Sequence, residues 1–198
     1  MPRPRSEDYD DKRQSILDQA ASLFARQGFA RTSISQISKE QNASKAWIYH
    51  YYDSKEAILE DILVKHIRML RDVVLTAAAG IDDPQTRLHS VVVALLDAYK
   101  DADSKHQVLI NDLDLLPKAS QREVKAMERE IVDVFADIVA SLNPELKNDG
   151  QRLKPVTMSL LGMLNWHFTW HRPDGPLSHG GYADLVVNLF VNGVKGLP

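Results

Sequence analysis

Apolar side chains recur every three or four residues along almost the whole of this 198-residue chain, and no two-residue alternation lasts beyond short clusters. That period places the apolar groups on one stripe of a helix and on neither face of a strand. The chain can therefore bury itself only as helix against helix, and an all-α fold of about nine helices is expected. At 44% apolar residues it has enough material for a sizeable core.

The punctuation supports the same reading. A first helix over residues 11–27 carries Ile16, Ala20, Leu23 and Phe24 on one side and stops at Gly28. Thr32 or Ser33 caps a short helix over 34–41, and Asn42 stands where a tight turn needs a residue tolerant of the left-handed conformation. Ser44 caps a second short helix over 45–51. Asp53, with Glu56 three residues on, reads as a capping-box start to a long helix that ends near Gly80. Further helices are expected over 84–100, 106–116, 120–142, 155 to 170 or 171, and 182–195. Residues 148–151 and 172–176 read as loops.

Several functions are excluded early. Without cysteine there is no disulfide framework, thiolate metal site or cysteine nucleophile. No G-x-S-x-G, HExxH, paired E-x-x-H or phosphate-loop pattern occurs, so no enzyme is expected, and no catalytic residue or cofactor. No apolar run approaches the length of a membrane span, and the N-terminus lacks the apolar core of a signal peptide. A cytoplasmic home is expected, with no membrane partner. His167 and His171 have an i, i+4 spacing that could share a metal, but core or pocket roles are preferred, and no metal site is expected.

Charge is distributed unevenly. The net charge is −3, yet residues 1–55 hold nine Lys/Arg against seven Asp/Glu, and the remainder holds 15 against 20. Four of the seven early acids lie within residues 7–11, which leaves the two short helices locally basic. Short helix, tight turn, short helix is the layout of a helix-turn-helix, whose second helix presents its N-terminal residues to base edges in the major groove. Ile48 is in register with Ile34 and Ile37 and should face inward. Lys45, Ala46, Trp47, Tyr49 and His50 are then left outward, Lys55 at the start of the long helix can meet a phosphate, and the capping residues Thr32, Ser33 and Ser44 join them. These nine residues are the expected DNA contacts. Arg3 and Arg5 could reach a minor groove as a flexible arm.

The run from Gly28-Phe29 through Thr32, Ile37, Ser44 and Tyr49 to Lys55-Glu56 resembles the TetR family of bacterial transcriptional repressors. The resemblance spans about residues 11–60. The chain departs from the family pattern at Gln41-Asn42, where Ala-Gly is usual, and at Trp47, where a smaller residue is usual. The resemblance implies a homodimer that binds a palindromic double-stranded DNA operator through two such motifs. It also implies a larger C-terminal domain in which a small effector lowers DNA affinity. On this reading residues 1–10 are a flexible arm, 11–55 the DNA-binding domain, and 56–198 the ligand-binding and dimerisation domain.

The last helix presents Tyr182, Leu185, Val186, Leu189, Phe190, Gly193 and Val194 as one apolar face. The helix before it is apolar nearly all round and must be covered on two sides. Leu160, Leu164, Leu185, Leu189, Phe190 and Gly193 are the expected dimer contacts. For the effector, Tyr99, Asn111, Met163, Trp166, His167, Trp170 and Arg172 combine large apolar surfaces with a few polar groups. The stretch 161–175 resembles a TetR subgroup that senses acyl-coenzyme A thioesters, which implies an apolar slot for the acyl part and cations such as Arg172, Arg68 or Arg71 for the phosphates. The alternative is a repressor of efflux genes that senses drugs or aromatic compounds.

Overall fold

In the computed structural model, residues 7–100, 102–147, 151–172 and 175–197 are described. They form ten α-helices and, among the described residues, no strand: α1 (Glu7–Gln27), α2 (Ile34–Glu40), α3 (Lys45–Tyr49), α4 (Lys55–Ala78), α5 (Pro84–Tyr99), α6 (Asp103–Asp112), α7 (Lys118–Leu142), α8 (Pro144–Lys147), α9 (Leu153–Asn165) and α10 (His179–Val194). The all-α expectation holds. Residues 1–6, 148–150 and 173–174 lie outside the described residues, so Arg3, Arg5 and Asp174 receive no placement.

Local chemistry explains most boundaries. Gly28 at φ +86° and Gly80 at φ +70° end α1 and α4 in the left-handed region that favours glycine. Asp83 caps α5 by accepting from the Thr86 N–H at 2.8 Å, with Pro84 in the first turn. The start of α4 differs from expectation. Ser54, rather than Asp53, accepts from the helix, taking the Ala57 N–H at 3.1 Å. The apolar helix from residue 155 was expected to reach residue 170, yet α9 stops at Asn165 and gives way to a 3-10 turn over His167–Thr169. The short α8 was not foreseen. It is held by Asn143, whose side-chain oxygen accepts from Glu145 N–H at 3.1 Å while its amide donates to the carbonyl of Val194 at 3.0 Å.

Contacts divide the chain into two compact units. The first takes the described residues up to Ile67 together with Ala102–Val124, and the second takes the rest. The sequence division at residue 55 therefore differs from the packing. In the first unit α6 lies on α1, where Lys105 Nζ meets Asp18 Oδ1 at 2.6 Å. The core here is Ile16, Leu17, Phe24, Ile37, Ile48, Ile58 and Ile62, each essentially removed from water. In the second unit α5 and α10 pack together around Leu88, Val92, Leu95, Ala183 and Val186. Phe135, Ile138, Leu160 and Leu164 are equally buried in this unit.

A histidine pair is enclosed in the first unit. His66 Nε2 of α4 lies 3.5 Å from His106 Nδ1 of α6, and His66 Nδ1 is buried without a hydrogen-bond partner. Burial, reinforced by His106 and Lys105, holds the His66 pKa down to about 3. Unfolded, the ring protonates near 6.5. The unfolded state therefore binds the extra proton between those values, and the contribution of the neutral ring is complete only above about pH 6.5. Stability should fall by about 1.4 kcal/mol per pH unit as pH drops through this window. Denaturant midpoints between pH 7 and pH 4 measure this. His66→Leu, which cannot protonate, should show a shallower loss than the parent, and equal slopes would refute the assignment.

Candidate nucleic-acid interface and effector groove

The α2–turn–α3 segment is fixed by side-chain caps. Ser33 Oγ accepts from the Gln36 N–H at 3.3 Å, and Gln36 Oε1 accepts from the Ser33 N–H at 2.8 Å, a reciprocal capping box. Asn42 takes φ +51°, which lets the Ala43 N–H reach back to Ser38 O at 2.9 Å. Gln41 ties the turn to α1, its amide donating to Ser15 O at 2.6 Å. Ser44 then caps α3 by accepting from Trp47 N–H at 3.1 Å. With Ile37 and Ile48 fully buried, α3 cannot rotate about its axis without exposing apolar surface. Consequently Ser44, Lys45, Ala46, Tyr49 and His50 face solvent, and Tyr49 is 53% exposed.

Other expected contacts are placed differently. Trp47 is half-buried, with its ring 4.9 Å from that of Tyr51, which in turn lies 4.8 Å from Tyr9. The adjacent tyrosines therefore divide their work. Tyr51 supports Trp47, while Tyr52 is buried, donates to Asp61 Oδ2 at 2.6 Å and accepts from Arg13 Nε at 3.0 Å. Burial, then the Asp61 carboxylate, pushes the Tyr52 phenol up. Ser33 is exposed, but Thr32 is buried, and its hydroxyl donates to Gly28 O at 3.0 Å. Lys55 is half-buried. Its ammonium donates to Phe29 O at 2.8 Å and to Thr32 O at 2.9 Å, and sits 4.1 Å above the Phe29 ring centre. Two of its three N–H groups thus hold the α1–α2 loop together.

In the second unit the expected effector residues are brought together only in part. Tyr99 is buried and donates to Asn165 Oδ1 at 2.7 Å. Tyr182 donates to the carbonyl of Met163 at 2.7 Å, and its ring stacks on His167 at 4.7 Å. Trp170 packs edge-on against both rings of that stack. Trp166, 62% exposed, and Arg172 point to solvent, and Asn111 is exposed in the other unit. Arg71 is engaged by Asp72 Oδ1 at 2.7 Å and Glu130 Oε2 at 3.8 Å.

The sequence reading missed a groove of about 590 Å³ between α7 and the α8–α9 segment. Lys125, Arg129, Lys147 and Lys154 ring it, against two acids, Glu128 and Asp133, and Val132, Ala136, Leu153 and Met158 supply apolar wall. Burial raises the Glu128 pKa, and the neighbouring Lys125 and Arg129 oppose the shift. The signal was present in the i, i+4 spacing of Lys125 and Arg129, but such pairs usually mark only a solvated helix face.

An open apolar face lies on α9 and α10. Leu160, Leu164 and Phe190, expected at a dimer contact, are buried in the chain's own core. Instead Met158, Gly162 and Trp166 run along one face at i, i+4, i+8, and Leu185, Leu189 and Gly193 run along the other at the same spacing. Leu189 is 60% exposed, and a Cβ added at Gly162 or Gly193 would meet nothing within 4 Å.

Two family models match the chain. One, described as bacterial regulatory proteins of the tetR family, covers residues 16–62, and another, the tetracyclin repressor-like C-terminal domain, covers residues 82–194. A TetR-family transcriptional regulator from Bordetella parapertussis 12822 superposes with a TM-score of 0.89 at 34% identity, over 96% of this chain and 99% of that one. The transcriptional repressor KstR2 of Rhodococcus jostii (strain RHA1) is 24% identical over 98% of both chains. AibR, solved in complex with isovaleryl coenzyme A and operator DNA, shares the fold with a TM-score of 0.75 at 24% identity, over 90% of this chain and 97% of that one.

Proposed function

This chain belongs to the TetR family of bacterial regulatory proteins, and from that premise we propose that it is a homodimeric repressor released from a palindromic operator by an acyl-coenzyme A thioester. The observation that carries the DNA-binding part is α3. Its inner residue Ile48 is locked into the core, while Lys45, Tyr49 and His50 stand outward beside the capping Ser44. Lysine and the tyrosine hydroxyl suit phosphate oxygens and base edges, and a helix of this width fits the major groove. A single α3 addresses one half-site, so two copies at fixed separation are required for a palindrome. The face formed by Met158, Gly162 and Trp166 with Leu185, Leu189 and Gly193 suits that pairing, because helices approach closely where glycine leaves no side chain.

The effector class is supported by the groove between α7 and α9. An acyl-coenzyme A needs cations for its phosphates and apolar wall for its acyl end, and Lys125, Arg129, Lys147 and Lys154 beside Val132, Leu153 and Met158 offer both. AibR, which binds isovaleryl coenzyme A, has the same fold. This assignment places the phosphate contacts on α7–α9 rather than on Arg172. A ligand seated there displaces the operator-bound state only through its different affinity for the two conformations.

The test is a titration with the DNA upstream of the gene, at several salt concentrations, with and without short-chain acyl-coenzyme A. Binding should weaken steeply with salt, since phosphate contacts release counterions, and the thioester should weaken it further. The R129E/K154E double variant should bind DNA normally yet lose the thioester response by roughly tenfold or more, the loss of two charge-assisted contacts. A response instead to free aromatic compounds, unchanged in that variant, would overturn the effector class while leaving the repressor reading intact.

A further inference from the structure

Three histidines converge where α9 hands over to α10. We propose that His167, His171 and His179 form a binding site for zinc or another late first-row divalent cation. One ring nitrogen from each lies within 4.8 Å of the other two. His171 stands at the centre, its ring 4.2 Å from that of His167 and 4.3 Å from that of His179. A tetrahedral site with metal–nitrogen bonds near 2.0–2.1 Å needs nitrogens about 3.3 Å apart, so the rings must draw in by on the order of 1 Å. His171 and His179 are only half-buried and have the freedom to do so.

Two further observations separate this cluster from ordinary aromatic packing. First, His167 is 2% exposed, and its Nε2 is buried with no hydrogen-bond partner. A buried ring nitrogen left unpaired is costly, and a metal bond would relieve it. Second, His171 Nε2 lies 3.1 Å from the carbonyl of Leu177. A carbonyl only accepts, so Nε2 carries the proton and Nδ1 keeps the lone pair that a metal requires. Holding the outer nitrogen of a ligand histidine on a carbonyl is the usual support for its tautomer. Burial and the neighbouring His171 and His179 hold the His167 pKa down to about 4, which keeps that ring in the neutral, metal-competent form at ordinary pH.

The ligand set selects the ion. The chain has no thiolate, and among the described residues the cluster contains no carboxylate. Three neutral imidazoles favour zinc, cobalt, nickel or copper over magnesium or calcium. Three protein ligands also leave a fourth position for water or an anion. Bound there, the ion would join the 3-10 turn at His167–Thr169 to the first residue of α10, the helix that presents Leu185 and Leu189.

The full chain, stripped with a chelator, is titrated with Co²⁺ at pH 7.5 and followed by visible absorption. The expected result is one Co²⁺ per chain with tetrahedral d–d bands, displaced by Zn²⁺. H171Q and H179Q should each weaken binding at least about tenfold while keeping the parent's circular dichroism. H89Q, at an exposed histidine paired with Asp184, should leave binding unchanged. Zn²⁺ should raise the Tm of the parent and of H89Q, and of neither cluster variant. Absent d–d bands, or bands of equal strength in H171Q and H179Q, would overturn the proposal.

Discussion

Replacing Lys45 and Tyr49 together by alanine should remove operator binding almost completely while leaving the protein folded. Both side chains are exposed and cap no helix, and the buried Ile48 that seats α3 is untouched. A good contact to a base edge contributes about 1–3 kcal/mol, and two half-sites double every loss. A fall of at least roughly a hundredfold in affinity is therefore expected, with a shallower salt slope because fewer counterions are released. Fluorescence anisotropy against the upstream DNA measures both, and circular dichroism and the melting temperature should match the parent. An affinity within a few-fold of the parent would remove α3 from the interface. The same experiment on Thr32 should give a different outcome. Its hydroxyl donates to Gly28 O, so its loss should lower stability along with affinity.

The second large effect is expected on the open face of α9 and α10. Leu189→Glu places a charge at a position 60% exposed in the single chain. It should cost the monomer little, since surface substitutions away from special features usually fall within about 0.5 kcal/mol. In a two-fold interface the charge appears twice and must be desolvated twice, which opposes pairing by several kcal/mol. Sedimentation should show the mass falling from twice 22.3 kDa to 22.3 kDa, with the helical spectrum preserved. Operator affinity should fall with it, because a lone α3 reads one half-site. Leu164→Glu is the informative contrast. Leu164 is wholly buried, so that change should unfold the chain rather than split a dimer.

The residues explain why some features were legible in the sequence and others were not. Gly28, Asn42 and Ser44 act through their own backbone and the next few residues, and each does in the fold what its chemistry suggests. Ile37 and Ile48 read as inward from spacing alone, and both are fully buried. Polar side chains were harder. Lys55 and Thr32 were both expected at the DNA, yet their donors meet the carbonyls of Phe29, Thr32 and Gly28. Which acceptor lies within 3 Å of a lysine depends on how a loop folds back, and composition does not encode that. The apolar α9 posed the same difficulty. A helix apolar all round must be covered twice, but spacing does not say which side meets its own core. Leu160 and Leu164 face inward, and Met158, Gly162 and Trp166 are left outside.

By itself the sequence determined the helical architecture, the caps and turn that set α2 against α3, and the outward register of Lys45 and Tyr49. All of these follow from interactions within about four residues along the chain. The tertiary structure alone decided that α6 belongs with α1, that the cationic groove lies between α7 and α9, that the free apolar face runs through Leu185 and Leu189, and that His179 joins His167 and His171. Each of these brings together groups from separate helices. Their proximity depends on which core packing leaves the fewest voids and unpaired polar groups, a property of the whole assembly of side chains that no local segment contains.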